Sequence, residues 1–325
     1  MKRARRSFDA SAATQPTKAR TAPITQSPDP AFAAPIPGTN DFLKSAVVAT
    51  TGNTVILPAA AWPSLTLANT SAAGFGLGPL APGSIATAFG RNLAAGTSDS
   101  PATPRTSLGG TRVSMTDSAG TVRQALLSYV SPGQVNYLIP TGTAPGSATV
   151  SITSNGSVTA TGQIDVVPVA PRLFTVNPAS LVAANVILVS QNGDQTYESI
   201  YQSDQNGNIT GIPIDFGSAT DAVYLVLYGT GIRNRTSKTA VSAIIDWTVS
   251  VPVTYAGPQG LNNPDGLDQI NLQLPRSLGS PVLPANPAFH QLQLTVDGQP
   301  SNPVMLLIQI NGYWGSTERK TGLSA

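Results

Sequence analysis

The stretch V-Y-L-V-L-Y-G-T-G-I-R-N-R, which spans Val223–Arg235, decides the fold. It is a run of apolar and aromatic residues that stops at Gly229-Thr230-Gly231. Such a run predicts a buried strand that ends in a tight corner. A related stretch, S-I-A-T-A-F-G-R-N-L, lies upstream at Ser84–Leu93. We therefore interpret the chain as a duplication in which each copy is built around one such strand.

The two copies share turn and strand-end residues in the same order. The matching pairs are Phe89-Gly90 with Tyr228-Gly229, Tyr129 with Tyr255, Pro132 with Pro258, Gln134-Val135-Asn136 with Gln269-Ile270-Asn271, Pro140 with Pro275, and Asn155-Gly156 with Asp297-Gly298. Because turn residues fix positive φ angles or stop a hydrogen-bond ladder, each copy needs them at the same places. The spacing differences fall in loops, and the largest of these loops is Leu261–Asp268.

The composition predicts an all-β fold. The chain has 325 residues, of which only 10% are charged, and it contains 30 Gly and 28 Pro. Low charge with frequent turn formers is typical of many short strands, and this length suffices for two domains with sizeable cores. Cysteine is absent, which excludes disulfides, thiol chemistry and cysteine-ligated metals.

The pattern predicts two tandem β-sandwiches with tails. Residues 1–43 form a basic, proline-rich segment that we expect to be disordered. The first sandwich is predicted at 44–171, with its core repeat from about residue 65, and the second at 172–312. The second includes an inserted β-meander at 183–216, and 313–325 form a C-terminal tail. In the first copy we predict one continuous strand over Val122–Tyr129.

The charge distribution argues against nucleic acid as a partner. Residues 1–44 hold 7 Lys/Arg and 3 Asp/Glu, whereas residues 45–325 hold 11 and 13, so the predicted sandwiches are nearly neutral. The basic start could bind nucleic acid or anionic lipid, but a solvated tail is the favoured interpretation. It also resembles the charged start of a secretion signal, although no apolar segment follows. No uninterrupted apolar run reaches about 18 residues, so no membrane span is predicted.

Several residues could carry chemistry, and each has a simpler interpretation. His290 is the only histidine, so a catalytic triad would need it, but its place in a predicted loop favours a surface residue. Asp204–Asn208 has oxygen ligands at alternate positions, as calcium loops do, and an Asn-Gly turn also accounts for it. Asp265 and Asp268 could form a carboxylate pair for glycoside cleavage, although turn or cap roles are favoured.

The remaining candidates concern binding. Gly229-Thr230-Gly231 lacks the third glycine of a dinucleotide motif, because Asn234 stands there. Arg233, Arg235 and Lys238 form a small basic cluster that could meet an anionic glycan or lie in solvent. Aromatic residues expected mainly in the core are Tyr224, Tyr228, Trp247, Tyr255 and Phe289, whereas Tyr201 and Tyr313-Trp314 are candidates for an exposed binding platform.

Four segments resemble a known family: Ala81–Leu93, Ser131–Pro140, Tyr224–Arg233 and Gly266–Leu278. They look like the Solibacter-type C-terminal domain family of uncharacterised acidobacterial proteins, over roughly Leu65–Ile310. Each half is also similar to immunoglobulin-like domains of the IPT/TIG type. The resemblance implies paired immunoglobulin-like sandwiches in secreted or surface proteins, without catalytic residues. Two departures are the missing secretion signal and the missing Gly-Gly turn within Ser242–Val251.

The function expected from these features is that of a non-catalytic structural or adhesive module at the exterior of a bacterial cell. Loops at the ends of the sandwiches would contact a protein or a glycan. We assign no catalytic, cofactor-binding or metal-binding residues. Two alternatives are a carbohydrate-binding module that uses exposed aromatic residues and a hydrolase with a site between the two sandwiches.

Overall fold

The computed structural model describes residues 67–100, 104–260, 266–279 and 288–309, and throughout them the fold is all-β with antiparallel sheets. The all-β prediction is therefore confirmed. Several predictions lie outside the described residues. These are the tail at 1–43, the start of the first sandwich, the carboxylate of Asp265, the platform Tyr313-Trp314 and the tail at 313–325.

The strands from Leu67 to Val166, here named the first repeat, form two sheets that share one core. The first sheet has the order β1 (Leu67–Ser71), β2 (Ile85–Gly90), β7 (Gln134–Leu138), β6 (Leu127–Val130) and β3 (Ser98–Asp99), and the second has the order β5 (Val122–Gln124), β4 (Thr111–Thr116), β8 (Gly146–Ser154) and β9 (Ser157–Val166). In β4 every second residue is buried, as the period of a strand requires when one face meets a core. Val113 and Met115 from this face pack with Ala86 and Val135 of the first sheet.

The strands from Arg172 to Ile308, here named the second repeat, again form two sheets around one core. The first sheet has the order β12 (Gln195–Ser199), β11 (Ala184–Val189), β15 (Ala222–Thr230), β19 (Asp268–Gln273) and β18 (Val253–Pro258), and β10 (Arg172–Leu173) also pairs with β15. The second sheet has the order β17 (Val249–Val251), β16 (Val241–Ile245), β20 (Ala288–Val296) and β21 (Gln299–Pro300), and β22 (Val304–Ile308) also pairs with β20. The strands β13 (Tyr201–Ser203) and β14 (Ile209–Gly211) pair separately, and short 3-10 helices span Lys238–Ala240 and Arg276–Gly279.

The duplication seen in the sequence recurs in the strand registers. Phe89 pairs with Gln134, and Tyr228 pairs with Gln269. Further along the same ladders, Tyr129 lies opposite Asn136 and Tyr255 lies opposite Asn271, each next to a register shift of the kind that marks a β-bulge. Both hairpin turns, Asn155-Gly156 and Asp297-Gly298, have positive φ at both residues. The predicted matches therefore occupy the same positions in both repeats.

Two strand predictions need correction. The predicted strand Val122–Tyr129 is two strands, β5 and β6, and they belong to different sheets. The buried Ala125 between them lies where the chain crosses the core from one sheet to the other. The meander predicted at 183–216 is also divided: β11 and β12 extend the sheet of β15, and only β13 and β14 form a pair of their own. Sequence periodicity reports strand segments, but it does not report which sheet a segment joins.

The two repeats meet at a buried joint. A third apolar cluster combines residues of the first repeat with residues of the second; its members include Ala72, Ala73, Ile85, Leu138, Phe174, Val226, Tyr228 and Leu267. The corner after β15 lies in this joint, where Thr230 is 0% exposed. The Oγ1 atom of Thr230 accepts a hydrogen bond from the backbone N–H of Ile85 at 2.9 Å and donates to the carbonyl of Gly266 at 2.8 Å. The second repeat thus uses its corner to hold the start of β2.

Candidate functional site

The end of the second repeat that points away from the joint is here named the distal end. β15 runs from this end toward the joint and stops at Thr230. The next strand, β16, begins after Asn234, whose amide donates to Pro82 of the first repeat. Its partner β17 leads to Pro252, whose carbonyl accepts from the N–H of Gln273 beside the start of β15. β16 therefore runs back to the distal end, where β20 begins at Ala288. The turn after β16, the start of β20 and the start of β15 are thus brought to one end.

The turn after β16 is made by Asp246 and Trp247, where a Gly-Gly pair was expected. The φ angles are 49° for Asp246 and 62° for Trp247, which is the left-handed region that non-glycine residues rarely adopt. Asp246 is held there by its own contacts. Its N–H donates to the carbonyl of Gln291 at 2.9 Å, and its Oδ1 atom accepts from the N–H of Gln291 at 2.9 Å. The hairpin therefore forms without glycine because the Asp246 side chain clamps the turn to β20.

His290 completes the clamp and is not a surface residue. It lies in β20, its side chain is 3% exposed, and its Nδ1 atom is 2.6 Å from Oδ2 of Asp246. The Nε2 atom is buried and has no hydrogen-bond partner among the residues that the structure describes. A histidine that acts as a general base must present a ring nitrogen to the substrate, and in His290 that nitrogen is closed off. The geometry of the pair therefore favours a structural role in holding the turn.

Two aromatic residues expected in the core are exposed at the distal end. Trp247 is 63% exposed and Phe289 is 65% exposed. Phe289 points outward because it precedes the buried His290 on a strand whose faces alternate. The Trp247 side chain points outward from its turn. The prediction that these two residues belong to the core is therefore wrong. By contrast, Tyr228 is 0% exposed and is a core residue as predicted.

The other aromatic candidates differ in burial. Tyr224 and Tyr255 are only partly buried, and the hydroxyl of Tyr255 donates to the carbonyl of Pro258 at 2.6 Å. Tyr201 is also partly buried and packs against two of the apolar clusters. Tyr201 therefore offers less surface to a ligand than Trp247 or Phe289 does.

A cleft of about 440 Å³ opens at the distal end beside the start of β15. Its lining consists of Ala219, Thr220, Asp221, Ala222, Val223, Pro252, Gln273, Leu274, Pro275 and Arg276. The Nη1 atom of Arg276 donates to the carbonyls of Phe216 at 2.9 Å and Asp221 at 2.7 Å. Hydrogen bonds from Ser218 lower the pKa of Asp221, and the charge of Arg276 acts in the same direction. The cleft thus holds one carboxylate and one guanidinium within a largely apolar wall.

The calcium interpretation of Asp204–Asn208 is disfavoured by the contacts of Asp204. Its Oδ1 atom accepts from the N–H groups of Asn206 and Asn208, both at 2.8 Å, and its Oδ2 atom accepts from the amide of Asn208 at 2.8 Å. These bonds lower the pKa of Asp204, with the side chain of Asn208 as the largest cause. The loop satisfies its own carboxylate, as an Asx turn does. No group of three or more potential metal ligands occurs within the described residues.

Asp268 and Arg233 form a buried ion pair at the joint. Asp268 is 0% exposed; its Oδ1 atom accepts from Nε of Arg233 at 2.8 Å, and its Oδ2 atom accepts from the N–H of Ile232 at 2.7 Å. Burial raises the pKa of Asp268, and the adjacent Arg233 opposes that rise. The predicted basic cluster is therefore divided, since Arg233 belongs to the joint while Lys238 is exposed. The corner at Gly229-Thr230-Gly231 ends β15, as predicted.

Comparison with known proteins gives weak structural similarities, two of which are described below. No protein-family model and no curated protein matches the chain. Among solved structures, InvD of Yersinia pseudotuberculosis is 14% identical over 78% of this chain and 60% of its own, with a TM-score of 0.21. Domains 5–6 of the S-layer protein SbsC are 14% identical over 76% and 97%, with a TM-score of 0.22. The chain thus spans less than two thirds of the InvD chain, and TM-scores this low support no argument about fold or function.

None of the helices in the described residues is long and apolar enough to cross a bilayer.

The main features missed at the level of sequence are the exposed aromatic pair and the joint. One signal could have revealed the first of these. The dipeptide Asp246-Trp247 replaces the expected Gly-Gly turn between two strands, and such a replacement requires a strained backbone at an exposed tip.

Proposed function

We propose that this chain is a non-catalytic, rigid surface module that consists of two tandem immunoglobulin-like sandwiches. It would belong to a secreted or cell-surface bacterial protein of the Solibacter-type family and hold attached segments or ligands at a fixed distance. The resemblance of the four sequence segments supports the family and the compartment. The repeated two-sheet organisation around separate cores supports the tandem arrangement.

The observation that carries this proposal is the buried joint. Two domains joined only by a linker move relative to one another, whereas a large apolar interface restrains them. Here the corner of the second repeat is buried against the first, and the amide of Asn234 donates to the carbonyl of Pro82 at 2.7 Å. A joint with apolar packing and directional hydrogen bonds keeps the spacing of the two repeats constant, which is the property a structural spacer needs.

The compartment is tested by labelling intact cells. An epitope tag placed at Gly207 lies in an exposed turn and leaves both cores untouched. We expect antibody to label intact producing cells as strongly as permeabilised ones, with a tagged cytoplasmic protein as the negative control. Labelling that requires permeabilisation would contradict a surface location.

A second candidate function, glycan binding, is favoured by Trp247. This residue is highly exposed and occupies a strained backbone conformation, and strain that the surrounding contacts maintain is often associated with function. An exposed tryptophan ring can stack on the apolar face of a sugar, and Phe289 on the neighbouring strand adds apolar surface. The platform would therefore be at the distal end and would not involve Tyr201.

The substitution Trp247→Gly tests this function without loss of the turn, because glycine adopts positive φ readily. We expect a glycan array to show binding by the native chain and none by the variant. The control is Tyr197→Ser, which removes an aromatic ring that is 45% exposed on β12. Equal binding by the native chain and by Trp247→Gly would exclude the tryptophan platform.

A further inference from the structure

The joint shows which kind of segment packs against the end of a repeat. In the first repeat, this end is formed by the start of β2 and the residues after β7. A Cβ atom added to Gly83 would lie 3.0 Å from Cδ of Arg233, and one added to Gly266 would lie 2.7 Å from Cγ1 of Ile85 and 3.3 Å from Cγ of Leu138. The corner and the adjacent loop of the second repeat therefore occupy this end at van der Waals distance.

The cleft at the distal end of the second repeat is the counterpart of the end of the first repeat that the corner occupies. Three backbone hydrogen bonds recur in both places. In the first repeat, they run from Ile139 N to Ser84 O at 2.9 Å, from Leu138 N to Leu126 O at 2.8 Å and from Thr143 N to Pro140 O at 3.3 Å. In the second repeat, the matching bonds run from Leu274 N to Val223 O at 2.8 Å, from Gln273 N to Pro252 O at 3.0 Å and from Leu278 N to Pro275 O at 3.1 Å. The lining residues from Asp221 to Val223 and from Gln273 to Arg276, together with Pro252, therefore stand where the first repeat holds the corner of the second.

The first repeat carries a corner of its own that has the matching shape. Asn92 has a φ of 56°, and Gly231, at the same place after β15, has a φ of 78°. The next residues, Leu93 and Ile232, are both 0% exposed. In the first repeat, however, Arg91 and Asn92 are exposed. Within the described part of the chain, the first repeat thus presents a corner with exposed residues, and the distal end of the second repeat presents a cleft of the kind that receives a corner.

We propose that the distal cleft binds the Gly90–Leu93 corner of a second copy of this chain, so that copies associate head to tail. The internal joint is the precedent for this contact, since it joins the same two ends within one chain. Charge adds complementarity, because Arg91 would approach the carboxylate of Asp221. Such a contact uses different surfaces on the two partners and need not close into a ring, so it extends into linear assemblies.

The contact differs from the joint in two respects. In the second repeat, β11 continues along the start of β15 and pairs with Val223 and Ala222, whereas in the first repeat β1 ends opposite Ala86. In the joint, the carbonyl of Pro82 accepts from Asn234, whereas its counterpart, the carbonyl of Asp221, already accepts from Arg276 at 2.7 Å. The corner of a second copy would therefore meet the guanidinium of Arg276 and the carboxylate of Asp221. It would not meet a backbone carbonyl that is available to accept a hydrogen bond. The contact between copies relies on apolar packing and charge, and it is weaker than the covalently tethered joint, in which the second binding event is intramolecular.

The absence of cysteine makes a direct test possible. Full-length Arg91→Cys and Gln273→Cys variants are mixed under mild oxidation. Gln273 is the counterpart of Leu138, which borders the joint beside the corner, so the two cysteines would approach each other in the assembly. We expect Arg91–Gln273 heterodimers to exceed either homodimer about tenfold, with Gln191→Cys in an exposed turn as the control for random collisions.

A second measurement does not depend on cross-linking. Analytical ultracentrifugation should show association that increases with concentration, and Ala222→Arg in the cleft should weaken it about tenfold, equal to about 1.4 kcal/mol. Heterodimers no more frequent than the Gln191 background, together with a monomer at all concentrations, would overturn the proposal. A disulfide between Gln273→Cys and Trp314→Cys within one chain would also overturn it, because it would assign the cleft to the C-terminal tail.

Discussion

The two corners at the ends of β2 and β15 share a positive φ angle at the same position but have opposite surroundings. After β2, the corner residues Arg91 and Asn92 are exposed, whereas at the end of β15 the corner residues Thr230 and Gly231 are buried in the joint. An added Cβ atom at Gly231 would lie 2.2 Å from the carbonyl oxygen of Ala170. The same turn therefore tolerates asparagine where it faces water and requires glycine where another segment covers it.

The comparison shows how a duplicated unit acquires a specific interface. The shared features of the corner are a positive φ and a buried apolar residue after it, and these end the strand. The features found only in the second repeat are Thr230, Asn234 and the Asp268–Arg233 ion pair, and each contacts or braces the joint. Substitutions at paired positions should therefore have unequal effects in the two repeats.

The largest difference is expected for alanine at the left-handed corner position. Gly231→Ala should destabilise the protein by about 4 kcal/mol, because backbone strain and a clash with Ala170 add together. Asn92→Ala, the matched control, should cost only about 1 kcal/mol, since its side chain lies in water. Chemical denaturation measures both values, and equal losses would show that the joint places no demand on the corner.

The next difference concerns Asp268, the first residue of β19. Asp268→Ala leaves the Arg233 guanidinium without its carboxylate in a mostly buried site and should cost about 3 kcal/mol. The counterpart of Asp268 is Gly133, where an added Cβ atom meets nothing closer than 4.0 Å. Gly133→Ala should therefore change the free energy of unfolding by less than about 1 kcal/mol. A loss of similar size in both variants would refute the role of the ion pair.

Thr230→Val removes the hydroxyl that joins the two repeats while keeping the shape of the side chain. The N–H of Ile85 then lacks an acceptor and the carbonyl of Gly266 lacks a donor, so we expect a loss of about 2 kcal/mol. Arg91→Ala at the matching position should stay within about 0.5 kcal/mol in urea titrations on dilute protein. If Thr230→Val were as stable as the native chain, the hydrogen bonds of the joint would be unimportant.

The smallest effect concerns Asp117, which lies in the turn between β4 and β5, and it depends on pH. The N–H of Ala144 is the largest cause of the lowered pKa of Asp117, and Thr121 and Arg123 contribute in the same direction. A lowered folded-state pKa gives stability that is present above the ordinary value, about 3.9, and is lost as the pH falls through the folded-state pKa. The native advantage over Asp117→Asn should therefore shrink below about pH 4.

The control for this pH experiment is Asp165→Asn, a substitution at an exposed position of β9. Free energies of unfolding are measured from pH 7 down to pH 2 for the native chain and both variants. A difference between the native chain and Asp117→Asn that grows on acidification would contradict the assignment.

The fold class and the internal duplication could be predicted from sequence because they depend on local signals. The Gln-x-Asn segments at 134–136 and 269–271 mark the same place in two ladders, and in each the glutamine amide donates to the asparagine at 2.8 Å. Turn residues and strand periodicity are legible within a few residues of sequence.

The joint and the distal end could not be predicted, because they depend on contacts between distant residues. Nothing next to Thr230 in the sequence indicates that Ile85 is its partner. His290 looks like a loop residue, and only its contact with Asp246 explains why it is buried. The same clamp allows Trp247 a positive φ, so its exposure follows from a contact between residues 44 positions apart.

The central claim is that the two repeats form one rigid body through the joint. It is tested most directly by the distance distribution between spin labels at Val158→Cys in the first repeat and Tyr197→Cys in the second. Both positions are exposed, at 64% and 45%, and the chain has no other cysteine. We predict a single narrow distribution for the native joint and a broader one after Thr230→Val. A broad distribution with the native joint would contradict the claim.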